Sequence, residues 1–150
     1  MIKVAGNWEY GWLESKQELF IWSLLLREFE IRDLYMWPKT GIKKIEPDVE
    51  LYERETIKEI LDENRNLKHV YFETQRMVIE PNIAINLKDF EHPKDALYIF
   101  GSANYSSIFG NKTDDDLIVT VSTLKNLSVA WPHQILAIVL YDKLLKGWNN

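Results

Sequence analysis

Two short runs constrain this chain more than anything else in it: Ala96-Leu-Tyr-Ile-Phe100 and Leu117-Ile-Val-Thr-Val121. Each is too short for an ordinary helix, and neither alternates apolar with polar residues in the way that marks one wet face. A strand of this kind has to be covered on both sides, the condition of a strand inside a parallel sheet flanked by helices. Gly101 closes the first run, and a polar stretch from Asn111 to Asp116 leads into the second.

The rest of the chain supplies partners for these strands. Ile2 to Gly6 reads as a first strand. From Glu14 to Glu30 the pattern turns helical, with Leu19, Ile21, Trp22, Leu25, Leu26 and Phe29 on a broad apolar face. Ile31 to Trp37 is a second strand, ended by Pro38, and Asp48 is placed to cap a helix running to Asn64. That helix would carry Leu51, Ile57, Ile60 and Leu61 inward. A third strand covers Leu67 to Thr74, a short one Ile83 to Leu87, and a helix from Leu127 to Lys146 closes the chain. This order predicts an α/β fold, a mostly parallel sheet with helices on both faces. With 150 residues and no linker or repeat, one domain is expected.

Several function classes fall away. Zero cysteines exclude disulfides, thiolate metal sites and a cysteine nucleophile. His69, His92 and His133 are dispersed and lack metal-ligand spacing. No dinucleotide, phosphate-loop or nucleophile-elbow motif occurs. The longest apolar runs, Ile21 to Leu26 and Ile135 to Tyr141, fall short of the roughly 20 residues of a membrane span. The N-terminus lacks the pattern of a signal peptide, so a soluble, cytoplasmic protein is expected. A net charge of −5 argues against a large nucleic-acid footprint. The densest basic patch, Lys39, Lys43 and Lys44, reads as a solvated loop or a local phosphate contact. Trp8, Tyr10 and Trp12 read as core or interface packing, or as a stacking platform for unpaired bases. Asp114-Asp115-Asp116 reads as a solvated turn before a strand, with a cation site as the alternative.

In open parallel sheets, ligands bind beyond the carboxyl ends of the strands. Three such ends are rich in small or polar residues: Glu73-Thr74-Gln75, Gly101-Ser102-Ala103-Asn104 and Ser122 to Asn126. Gly101 would let a ligand approach the backbone, and Asn126 and Ser128 stand where the last helix is expected to begin.

These blocks resemble the C-terminal half of the SPOUT (α/β-knot) superfamily, in its ribose 2′-O-methyltransferase branch. His92-Pro93 followed by Ala96-Leu-Tyr-Ile-Phe-Gly101 is similar to the family strand that ends in Phe-Gly-Pro-Glu. Asp115 to Val121 looks like the next strand, which normally ends in Ile-Pro, and Asn126-Leu-Ser-Val-Ala130 looks like the family's Asn-Leu-Ser-x-Ala. Ile138 to Leu144 continues like the end of that helix. The resemblance implies a C-terminal trefoil knot and an S-adenosylmethionine-dependent methyltransferase acting on RNA, with tRNA as the substrate class. It also implies a homodimer formed through the last helix, with Trp131 and Tyr141 in the interface. By position, main-chain groups of Thr74, Gly101, Thr120 and Leu124 would hold the cofactor, with Ser102, Asn126 and Ser128 beside them.

The chain departs from the family where the reaction is run. No Asn-x-Gly-x-x-x-Arg lies between Gly6 and Phe29; Leu24 takes the arginine's place, with Arg27 about one turn away. Ser102-Ala103 replaces Pro-Glu, and Val121 replaces the proline of Ile-Pro. Arg27 and Arg76 are the candidate catalytic replacements, with Glu73 as a possible carboxylate. The alternative expectation is an inactive module that keeps the fold and binds RNA or a protein partner.

Overall fold

The computed structural model describes residues 1–9, 13–74, 83–101, 111–124 and 131–147. Its elements are β1 (Ile2–Asn7), α1 (Ser15–Glu28), β2 (Asp33–Trp37), β3 (Glu50–Glu53), α2 (Ile57–Glu63), β4 (Lys68–Thr74), β5 (Ile85–Asn86), β6 (Ala96–Phe100), β7 (Leu117–Val121) and α3 (Pro132–Leu145). The strands form one sheet in the order β3-β2-β1-β6-β4-β7-β5, and every neighbouring pair is parallel. The sheet expected to be mostly parallel is therefore wholly so among the described strands.

The two runs that anchored the sequence reading form β6 and β7 with the expected bounds, and all five residues of β6 are buried. Alternate side chains serve opposite faces of the sheet. Val4, Met36, Phe72, Tyr98, Phe100 and Val119 pack with Trp22 and Leu26 of α1 and Leu136 and Val139 of α3. Ala5, Tyr35, Tyr71, Leu97 and Ile99 pack with Ile57, Ile60 and Leu61 of α2. Helices thus cover both faces.

The expected helix from Asp48 to Asn64 is wrong in its first half. Glu50–Glu53 is an edge strand paired to β2, and the helix begins only at Ile57. Thr56 supplies the start signal: its hydroxyl accepts from the Glu59 backbone N–H, while the Glu59 carboxylate accepts from the Thr56 N–H. The last helix also begins later than expected, with Pro132 at its first turn, where the missing N–H costs nothing. The expected knot falls largely on residues 102–110 and 125–130, outside the described residues.

Candidate functional site at the carboxyl ends of the strands

α1 joins two adjacent parallel strands, so it runs back against them and its first turn stands at their carboxyl ends. α3 lies in the same sense. Its far end is tied to the amino side of the sheet, where Asp142 Oδ2 meets His92 Nε2 at 2.8 Å and Lys146 Nζ donates to the Phe90 carbonyl at 3.1 Å. The first turns of α1 and α3 therefore flank the ends of β1, β6 and β4.

A file of rings leads up to this edge. Phe72 stacks on Phe100 at 5.1 Å between centroids, and Phe100 meets Trp22 edge-on at 5.9 Å. Trp22 fits only because residue 6 has no side chain, since a Cβ there would lie 2.6 Å from the indole ring. The indole Nε1 donates to Glu18 Oε2 at 3.1 Å, and His133 Nδ1 lies 3.0 Å from the same oxygen. Glu18 is fully buried, and its Oε1 has no partner among the described residues.

The expected cofactor positions belong to the same carboxyl edge of the sheet. Thr74 ends β4, opposite Val121 of β7, and is buried with its hydroxyl unpartnered among the described residues. Its backbone N–H is taken up by Glu73 Oε1 at 2.9 Å. Gly101 has φ +101°, and a Cβ there would lie 2.6 Å from that of Asn7. Thr120 sits on β7 with its hydroxyl 3.4 Å from the Ile85 carbonyl, and Leu124 is fully exposed beyond the strand. Ser102, Asn126, Ser128 and Arg76 lie outside the described residues.

Arg27 is not brought to this edge. It occupies the last turn of α1 and is held by Glu28 at 2.7 Å and Glu46 at 3.0 Å, which raise the already high guanidinium pKa. Of the basic loop, Lys44 pairs with Glu50 at 3.3 Å, whereas Lys39 and Lys43 are exposed. Trp8 donates to the Pro38 carbonyl at 2.8 Å, and Tyr10 and Trp12 lie outside the described residues. A separate cavity of about 370 Å³ opens at the amino side of the sheet, lined by Lys58, Asp62, Arg65, His69 and Asp116 among others. Its Lys58 and Arg65 are both engaged by Asp62. Asp116 of the acidic turn accepts from the Thr113 N–H at 2.9 Å and faces His69 at 3.5 Å.

Sequence reasoning passed over Glu18 and His133. One signal was present: Glu18 lies one turn before Trp22 and two before Leu26, a carboxylate on the stripe that faces the core.

In fold the chain is similar to solved structures of RNA-modifying enzymes. The chain superposes on a TrmH/SpoU tRNA modifying enzyme of A. aeolicus with a TM-score of 0.70 and 14% identity, over 97% of this chain and 77% of that one. It matches a structure concerned with 2-OH methylation of C/U34 on tRNA with a TM-score of 0.69 and 10% identity, over 97% of each chain. At such identities the likeness is one of fold. No protein-family model and no curated protein matches the sequence. No helix among the described residues is long and apolar enough to cross a membrane.

Proposed function

We propose that this chain is an S-adenosylmethionine-dependent RNA 2′-O-methyltransferase whose substrate class is tRNA. The observation that carries the reading is the hydroxyl of Thr74, buried at the end of β4 without a partner among the described residues, in a fold shared with tRNA-modifying enzymes. An unmet buried hydroxyl costs about 1–3 kcal/mol, and a ligand atom that satisfies it offsets that cost. The Thr74 hydroxyl, unmet among the described residues, is a polar group that such a cofactor would satisfy. Thr74, Gly101, Thr120 and Leu124 would hold it mainly through their backbones, and Ser102, Asn126 and Ser128 would complete the set. Backbone recognition tolerates side-chain change, so the departures at Ser102-Ala103 and Val121 leave such a pocket possible. The cofactor supplies a methyl group on a positively charged sulfur.

The same reading includes a knotted C-terminal segment and a homodimer built on α3, where Ile138, Tyr141, Leu144 and Leu145 are exposed. A module that retains the pocket without the reaction is the second reading. Leu24 at the family's arginine position and the engagement of Arg27 by Glu46 favour it.

Calorimetric titration with S-adenosylhomocysteine, beside a thermal melt, tests the pocket. Micromolar affinity with a rise in melting temperature is expected, because a ligand that binds only the native state stabilises it. No binding up to millimolar ligand would overturn the methyltransferase reading.

A further inference from the structure

We propose that His133, oriented by Glu18, accepts the proton of the hydroxyl that receives the methyl group. The inference rests on the methyltransferase reading and adds to it a proton route that the departures from the family pattern leave vacant. Glu18 Oε2 already accepts from the indole of Trp22, which can only donate. The Nδ1 of His133, 3.0 Å from that oxygen, therefore carries its proton toward the carboxylate. That leaves Nε2 as a bare acceptor, and it makes no hydrogen bond among the described residues. The His133 side chain is 14% exposed and that of Glu18 1% exposed, so the imidazole presents an edge while the carboxylate behind it stays dry.

A carboxylate behind an imidazole selects the tautomer and stabilises the imidazolium that forms when a proton arrives. The second carboxylate oxygen strengthens the case. Among the described residues Glu18 Oε1 is buried with no partner, an acceptor left unmet at the edge where the Thr74 hydroxyl is also unmet. Trp22 and Gly6 hold the pair in register with the ends of β1 and β6, because the indole wedges against the glycine. In the step, the proton leaves the acceptor hydroxyl for His133 Nε2 as that oxygen bonds the methyl carbon and the carbon–sulfur bond breaks. The sulfur keeps the electron pair and becomes neutral, and the imidazolium faces the Glu18 carboxylate. Glu18 is a positioning residue; His133 is the group that meets the substrate.

The test combines nitrogen-15 spectroscopy of the histidines with methyl transfer to unfractionated tRNA. In the wild-type protein His133 is expected to be protonated on Nδ1 and bare on Nε2, and in Glu18→Gln to become a mixture of tautomers. His133→Gln is expected to lose about a hundredfold or more in kcat. Its affinity for S-adenosylhomocysteine should stay within about twofold of wild type, as should its KM for tRNA. A wild-type His133 protonated on Nε2 would overturn the inference whatever the activity. So would a His133→Gln enzyme that labels tRNA within threefold of wild type, and both results leave the methyltransferase reading standing. Wild-type protein that binds S-adenosylhomocysteine yet labels no RNA would remove the proton-transfer role and favour the inactive module. Failure to bind S-adenosylhomocysteine at all would defeat the underlying reading instead. A thermal melt of each variant separates loss of folding from loss of transfer.

Discussion

At Gly101 the backbone takes φ +101° while Asn7 closes on the side where a Cβ would stand, so two constraints meet in one residue. Alanine there has to relieve both a disfavoured dihedral and a 2.9 Å approach to the Asn7 nitrogen. Gly101→Ala is expected to lower the unfolding free energy by about 2–4 kcal/mol, read from urea titrations at constant slope. Thr74 predicts the opposite sign. Valine matches threonine in shape and removes a hydroxyl that has no partner among the described residues, so Thr74→Val should be neutral or slightly stabilising. The same variant should bind S-adenosylhomocysteine about two- to tenfold more weakly, the loss of one hydrogen bond. Stability and affinity moving together in this variant would mean that the hydroxyl serves the fold rather than a ligand.

Among the elements, α3 is secured at its far end by a chain of polar contacts. Tyr98 meets His92 Nδ1 at 2.7 Å, His92 Nε2 meets Asp142 at 2.8 Å, and Asp142 pairs with Lys146 at 2.8 Å. Burial lowers the His92 pKa below its ordinary value of 6.5, opposed by the neighbouring Asp142. The neutral imidazole is then the folded form, and in this range the unfolded chain binds more protons. The contribution of His92 is complete above 6.5 and declines as pH falls from there toward the lowered folded value. Urea unfolding at about pH 7.5 and about pH 5.5 should show a fall in stability that shrinks in His92→Gln. How much of these elements was legible depended on where the deciding interaction lay. β6 and β7 could be read because short strands buried on both faces leave little else for their residues to be. β3 could not: Glu50-Leu-Tyr-Glu53 is half-buried throughout, and its strand character comes from pairing with β2. The outlying residues of the site followed the same rule. The positions of Thr74 and Gly101 came from strand ends, while Glu18 acquires its meaning from His133, 115 residues away.

For the molecule as a whole, the outward side of α3 is an apolar surface that stands uncovered among the described residues. Ile138, Tyr141 and Leu145 recur at helical spacing and are 41%, 55% and 69% exposed. A two-fold pairing of this stripe would bury it against itself. Ile138→Glu places like charges against each other across such an axis, so sedimentation should show a dimer for the wild type and a monomer for the variant. A wild-type monomer at micromolar concentration would remove the homodimer from the proposed function.

The strand order also sets a schedule for synthesis. β1 lies between β2 and β6, and β6 separates it from β4, yet β6 is made after β2, β3 and β4. Until β6 and β7 emerge from the ribosome, β1 presents one open edge and β4 two, and those edges are free to pair with each other or with a neighbouring nascent chain. A chain stalled between β4 and β6 is therefore the form most exposed to misassembly, and it is there that a chaperone would find most to hold.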